Sequence, residues 1–309
     1  MEDVTDTVLR ELLLNVADPG ALHVVMTEFV STDGLVHKKA RKRVIHRLLV
    51  TEEERKLLNA KNVKIVAQIW GNTPEHYQQV IKEIAAEMEF DGIDINMGCP
   101  VPKVVRRGSC SGMIGNPTLA KEIILACKEA SDLPVSVKTR IGLKTVATEE
   151  WIGHVLETNP AALTIHGRTQ KQMSEGLADW SEIAKAARLR DQLGLDLPVI
   201  GNGDVQSLTE ARAKCAEFGL DGAMIGRGIF NNPWLFMEEQ RERTKEEKLE
   251  MLWKHTELFG RVWGDTKNFH ILRRYYSIYS KGFPGAAELR ANLMRSERVE
   301  DVERILRSA

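Results

Sequence analysis

The chain has 309 residues, 43% of them hydrophobic and 6% aromatic, with a formal net charge of −1 at pH 7; the length matches a barrel of roughly 250 residues with a small appendage. No run of about 18 apolar residues occurs, and the acidic opening MEDVTDTVLRELLLN lacks the basic start of a signal peptide, so neither a membrane span nor a secretory leader is expected. Cys99, Cys110, Cys127 and Cys215 show no CxxC spacing and no scaffold density, which predicts a reduced, cytoplasmic protein without a cysteine metal site.

A helical pattern over Thr5–Asn15 opens the chain, and His23–Thr27 reads as the first complete strand. Short β-branched runs then alternate with helix-like segments. The runs are Lys64–Trp70, Gly92–Gly98, Pro134–Arg140, Ala162–Arg168, Pro198–Asp204 and Gly222–Gly228. Nearly continuous apolar runs of this length suit strands buried on both faces of a parallel sheet. Three of the intervening segments start with capping patterns, at Thr73-Pro74, Asn116-Pro117 and Ser207-Leu-Thr-Glu210. After Phe230-Asn-Asn-Pro233 the rhythm turns all-helical, with segments at Lys245–Trp263, Thr266–Lys281, Ala286–Met294 and Glu297–Leu306. Strand and helix in alternation mean an α/β fold with right-handed crossovers. A doubly wound nucleotide fold would carry GxGxxG after its first strand, and none is present.

The expected fold is therefore a (β/α)8 TIM barrel at residues 1–240 with a C-terminal all-α helical domain at 244–309. Seven strands are legible, and the eighth would precede Thr5, where only Met1–Val4 stand. In such a barrel the carboxyl ends of the strands converge on one mouth. Those ends carry Glu28, Gln68, Asn96, Lys138, Arg140, His166, Arg168, Asn202, Asp204 and Arg227.

Gly201-Asn202-Gly203-Asp204 and Gly226-Arg227-Gly228 follow the last two strands, the usual barrel phosphate site, and Arg227 adds a charge-assisted contact. The same glycines also suit plain turns. Lys138 at a strand end suits a reduced flavin, whose negative charge a cation stabilises, or alternatively a Schiff-base lysine. Arg140, two residues on, shares its face and favours an anionic ligand. Gln68, Asn96 and His166 could hydrogen-bond a flavin's pyrimidine edge. Cys99, in Asn96-Met-Gly-Cys-Pro100, sits on a constrained rim loop beside Gly108-Ser-Cys-Ser-Gly112. A free cysteine is ordinarily a small buried hydrophobe, but no activating base for a cysteine hydrolase lies near it, which leaves proton donation.

Charge is unevenly spread. Residues 244–309 hold 13 Lys+Arg against 10 Asp+Glu, and the remainder 30 against 34. Basic clusters at Lys38-Lys39-Ala40-Arg41-Lys42-Arg43 and Lys103…Arg106-Arg107 suit a polyanionic partner or a solvated surface.

Several segments together resemble the tRNA-dihydrouridine synthases. They are Met1–Asp6, Thr27-Glu28-Phe29-Val30, Asp94–Pro100, Val135–Arg140, His166-Gly-Arg-Thr169, Asn202-Gly-Asp204 and Ile225-Gly-Arg-Gly228, in the family's order. The Asn-x-Gly-Cys-Pro loop combined with His-Gly-Arg-Thr is the specific pair. Thr27–Val30 and Gly264–His270 resemble the bacterial branch acting on U16 of the D-loop. The resemblance implies FMN in the mouth, with Gln68, Lys138 and His166 around the isoalloxazine. It places Asn202, Gly203, Asp204, Gly226 and Arg227 at the phosphate, and Met1 where the family's Ala-Pro-Met meets FMN. NADPH, or NADH, would reduce the flavin. A flipped-out uracil would then take hydride at C6 and a proton from Cys99 at C5, with Asn96 and Arg140 orienting the base. Arg273, Arg274 and Lys281, interleaved with Tyr275, Tyr276 and Tyr279, would hold the tRNA. A metal-free, membrane-free monomer is implied. Cys110 stands where the family has a small residue, and a thiol there could pair with Cys99 under oxidation.

Three rival readings predict different behaviour. A dihydroorotate-dehydrogenase-like enzyme acting on a free pyrimidine has no need of a basic helical tail. A non-catalytic tRNA-binding protein would be colourless, with salt-dependent binding. An aldolase using Lys138 would be trapped by borohydride.

Overall fold

The computed structural model describes residues 1–308. Its strands are β1 (Val24–Met26), β2 (Val30–Ser31), β3 (Lys64–Trp70), β4 (Gly92–Asn96), β5 (Val135–Arg140), β6 (Ala162–His166), β7 (Val199–Asn202) and β8 (Gly222–Met224). Hydrogen bonding runs β1-β3-β4-β5-β6-β7-β8, with every pair parallel. The result is a barrel-type sheet whose path ends at β1 on one side and β8 on the other.

Alternation within each strand separates two environments. Ile93 and Ile95, Val135 and Val137, Leu163 and Ile165 are sealed from solvent. Of the intervening positions, Gln68, Asp94, Asn96 and Ser136 meet one another by hydrogen bonds on the opposite face, and Lys138 reaches Asn202. These runs read as continuous hydrophobic strands because helices cover one face. Polar groups line the other face, from Ser136 and Asp94 within the sheet to Asn96 and Lys138 further along the strands.

β1 and β2 both pair with β3, but the register slips by one residue between them, from Val24↔Lys64 to Val30↔Ile69. Thr27 absorbs the slip: its Oγ1 accepts the Gln68 N–H at 3.0 Å, a bond that a backbone carbonyl would otherwise make. The extra residue is a bulge, and it re-aims Glu28 toward the chain termini. Nothing in the local sequence marks it: the expected strand over 23–27 ends at Met26, and pairing with β3 resumes at Val30.

Helix starts follow the caps in part. Asn116 accepts the Leu119 N–H, and Ser207 accepts that of Glu210. The Glu210 carboxylate takes the Gln206 N–H instead of closing a box, and Thr73 makes no side-chain cap. The closed capping box lies elsewhere, between Thr244 and Glu247, at the head of the Lys245–Trp263 helix. The expected strand over 222–228 stops at Met224, and Arg227–Phe230 forms a 3-10 turn. The expected Thr266–Lys281 helix divides into a 3-10 turn, Phe269–Leu272, and a helix, Arg273–Tyr279. Helices Ala286–Leu293 and Val299–Arg307 complete the tail.

The tail docks on the first six residues. Asp6 caps the Thr7–Val16 helix and accepts from Trp263 Nε1 at 2.8 Å and Lys267 Nζ at 3.2 Å. Lys267 also reaches Glu28 at 2.9 Å and lies over the Trp263 ring. Tyr275 donates its hydroxyl to the Val4 carbonyl at 3.0 Å. Tyr275, Tyr276 and Tyr279 are all buried, so the expectation that they interleave with bound RNA is corrected. Tyr275 and Tyr279 form an aromatic core with His255 and Phe230, and Tyr276 pairs with Ser296. No helix is long and apolar enough to cross a membrane among the described residues.

Candidate active site

The carboxyl ends of β3 to β8 bring Gln68, Asn96, Lys138, His166, Asn202 and the Asp204–Arg227 loops to one mouth. Their hydrogen bonds run in fixed directions. Asp94, fully buried in mid-β4, accepts from Ser136 Oγ at 2.7 Å and from Gln68 Nε2 at 2.8 Å. With its amide nitrogen so engaged, Gln68 turns its oxygen to Asn96 Nδ2 at 3.2 Å. The Asn96 oxygen then accepts the N–H groups of Gly98 and Cys99, both at 3.0 Å. A carboxylate only accepts, so the amide orientations are consistent along the whole chain. Burial pushes the Asp94 carboxyl up to about 6, while Ser136 and Gln68 oppose that rise.

The chain ends on the turn that carries Cys99. Ser111 Oγ donates to the Cys99 carbonyl at 2.8 Å, and Arg140 Nε donates to the Gly98 carbonyl at 2.6 Å. Arg140 Nη1 also donates to the carbonyls of Thr169 and Met173. The guanidinium expected to meet a base thus braces two rim loops. Cys99 itself is half-buried, and Cys110, buried at φ +50°, gives it a thiol hydrogen bond. That bond, with the Val101 N–H and the Arg140 charge, brings the Cys99 thiol down to about 6 against its burial. Burial holds the Cys110 thiol well above its ordinary value, so Cys110 remains the donor of the pair.

Across the mouth, Lys138 Nζ donates to Asn202 Oδ1 at 3.1 Å, and Asn202 Nδ2 donates to the Met224 carbonyl at 2.8 Å. Burial, and Arg140 nearby, lower the Lys138 ammonium to about 8. Asp204 is held by two arginines. Both its oxygens accept from Arg168, at 2.8 and 2.7 Å, and Arg227 lies 3.7 Å away. Gly203 adopts φ +136°, and a Cβ there would come within 2.4 Å of the Ala178 methyl. Around Gly226 nothing lies within 4 Å of a Cβ, and the Arg227 side chain is 59% exposed. The Met1 ammonium donates to Thr5 Oγ1 at 2.6 Å; burial, against the pull of Glu28, lowers it to about 5.

The tail cations are placed differently. Arg273 donates to the Ser296 carbonyl, Arg274 to that of Asp3, and Lys281 to that of Asn231. Among the described residues, exposed cations with no bonding partner occur in the tail, at Arg290 and Arg295, and in larger number on the barrel side. Lys38, Lys39, Lys42 and Arg43 are exposed on the Lys38–Val44 helix, which follows β2, and Lys103 and Arg106 are exposed beyond the Cys99 loop. Sequence reasoning missed Asp94, Ser111 and Lys267 as members of the site's framework. For Asp94 the signal was available, since a carboxylate alternates there with Ile93 and Ile95 and so shares the face of Asn96.

Comparisons with known proteins give the family. A model of the dihydrouridine synthase family matches residues 1–309. A probable tRNA-dihydrouridine synthase of Staphylococcus aureus (strain COL) is 40% identical over 99% of this chain and 90% of its own length. Probable tRNA-dihydrouridine synthase 2 of Bacillus subtilis (strain 168) is 39% identical over 99% of this chain and 91% of its own. Among solved structures, a 2-naphthoyl-CoA reductase complex superposes with TM-score 0.52 at 12% identity, covering 75% of this chain and 46% of that one, a likeness of fold alone. With the family model spanning the whole chain, this protein belongs to the dihydrouridine synthase family of oxidoreductases.

Proposed function

We propose that the chain is a tRNA-dihydrouridine synthase that reduces uridines of the D-loop, U16 by its branch, with FMN across the barrel mouth and NADPH as reductant. The observation that carries this reading is a single thiol, Cys99, on a braced turn at the rim of a mouth lined with hydrogen-bond donors.

The lining fits an anionic, acceptor-rich group. Lys138 and His166 offer donors, Gln68 and Asn202 hold their neighbours in place, Arg227 is largely exposed and can reach a phosphate, and Gly226 leaves space beside it. Asp204 acts through Arg168 and Arg227, and the buried Met1 ammonium feels the charge of Lys138. When bound, reduced FMN supplies a hydride to C6 of the uracil.

The chain's own residues do the rest. Lys138 offsets negative charge at the flavin edge. In its protonated form Cys99 gives its proton to C5, and the hydrogen bond from Cys110, the Val101 N–H and Arg140 stabilise the thiolate left behind, so the donating fraction falls as the pH rises through about 6. Asn96 and Arg140 orient the base by fixing the turn beside it. The uracil must leave the stack to reach this depth.

The substrate assignment rests on the names of the relatives and on the unpaired cations of Lys38–Val44 and of Lys103 and Arg106. In this reading the barrel is residues 1–240, and 244–309 form the helical RNA-side domain. Arg273, Arg274 and Lys281 contribute charge while anchoring that domain.

The test is flavin reoxidation. Purified protein is expected to be yellow, to bleach with NADPH and to recover colour with tRNA lacking dihydrouridine, but not with free uridine. Colourless protein, or equal reoxidation by free pyrimidine, contradicts the proposal.

A further inference from the structure

Arg168 lies just beyond β6 with its guanidinium sealed from solvent. Four groups converge on it. Nη2 donates to both Asp204 oxygens and to the Gly176 carbonyl, and Nε donates to the Glu175 carbonyl at 3.2 Å. The remaining arm, Nη1, lies 3.1 Å from His166 Nε2.

A guanidinium carries donors only and keeps its proton at any accessible pH. Nη1 must therefore donate, and Nε2 must be the nitrogen with the lone pair. The single proton of a neutral imidazole then sits on Nδ1, because the bond made by one ring nitrogen sets the tautomer of the other. Packing supports the same orientation. A Cβ on Gly203 would lie 3.3 Å from His166 Cδ2 and 3.6 Å from Nε2, so the β7 loop presses on that edge of the ring. Nδ1 has no protein partner among the described residues, and the residue is half-buried at the mouth.

We propose that Arg168 is a positioning residue that locks His166 as the Nδ1–H tautomer, so that the ring offers a permanent hydrogen-bond donor to an acceptor atom of the ligand in the mouth. Protonation of the ring is opposed from every side. Burial is the largest cause, followed by Lys138 on β5, Arg140 on β5, Arg168, and Arg227 beyond β8, which together hold the imidazolium down to about 2. The one carboxylate nearby, Asp204, is taken by Arg168. His166 therefore hydrogen-bonds without titrating, which leaves it outside the proton transfer. The proposal rests on the reading that an acceptor-bearing ligand fills the mouth, but the ring itself can be observed directly.

The measurement uses the full chain labelled with 15N in its imidazoles, with long-range proton–nitrogen spectra from about pH 5 to about pH 8. His166→Gln identifies the signals. The expected result is the Nδ1–H pattern, unmoved across the range. An Nε2–H pattern, or a titration with a midpoint near the ordinary 6.5, overturns the proposal. In Arg168→Met the tautomers should mix and the midpoint should rise into the measured range. An unchanged spectrum from folded Arg168→Met would remove Arg168 from the role. Should that variant not fold, Arg168→Lys keeps a cation for Asp204, cannot span both partners, and should show the same mixing. The visible spectrum reads the flavin assignment separately: colourless protein with a locked ring would sink the proposed function and leave this inference standing.

Discussion

The barrel mouth and the helical tail bury the same kinds of side chain and use them oppositely. In the mouth, polar groups form directional chains that end on atoms left free for a ligand. Asp94 leads through Gln68 and Asn96 to the Cys99 turn, and Asp204 leads through Arg168 to His166. In the tail, His255 closes on Tyr279, Tyr276 on Ser296, and Lys267 on two carboxylates. No open end remains in those pairs. A buried polar residue therefore signals chemistry where its network is left unfinished and docking where it is complete.

The most damaging way to break the comparison is to open a closed pair. Lys267→Met leaves Asp6 and Glu28 buried without their cation, and removal of one partner of such a cluster costs about 3–5 kcal/mol. Thermal or denaturant unfolding should show that loss, with flavin content falling only as the fold does. Next in size is the exposed basic surface. Replacing Lys38, Lys39, Lys42 and Arg43 by alanine should flatten the slope of log affinity for tRNA against log salt by about 3, at roughly 0.7–0.9 for each phosphate no longer neutralised. Stability should be unchanged, since that helix buries no residue. Tyr275→Phe comes third. It strands the Val4 carbonyl and should cost about 1 kcal/mol of stability without altering the salt slope. A large drop in tRNA affinity instead would give the hydroxyl an RNA-contacting role that its burial denies it.

The smallest effect concerns acidity. Iodoacetamide should alkylate Cys99 with a midpoint near pH 6, because its folded-state thiol titrates at about 6 and the thiolate is the nucleophile. Cys110→Ala removes the leading cause of that depression, so the midpoint should move up. Cys110→Ser keeps a donor and should hold it closer to the original.

Much of the barrel was legible because its strands obey one period and end where polarity begins. Lys64–Trp70 is the strand the sequence implies, residue for residue, and Lys245–Trp263 is the expected helix. What escaped was whatever depends on partners distant in sequence. The bulge at Thr27 exists because a side-chain oxygen replaces a carbonyl opposite Gln68, and no local pattern encodes that. Arg140 and Asp204 were rightly brought to the mouth, but which atoms they spend on carbonyls and on Arg168 is set by loops 29 to 42 residues away. The tail tyrosines sit at helical spacing, and spacing alone does not say which face is covered. Their burial follows from the Val4 and His255 contacts. Thr244 and Glu247 have the same spacing as Ser207 and Glu210, yet only the first pair closes a box, because Glu210 finds another partner in the Gln206 N–H.

The central claim, that Cys99 supplies the proton while the remaining mouth holds the flavin, is tested most directly by single-turnover mixing of pre-reduced Cys99→Ala protein with tRNA lacking dihydrouridine. Reoxidation of the flavin should slow by about 10²–10⁴-fold, the range for loss of a general acid, while reduction by NADPH keeps its wild-type rate. Reoxidation at the wild-type rate, or a parallel loss in the NADPH step, would contradict it.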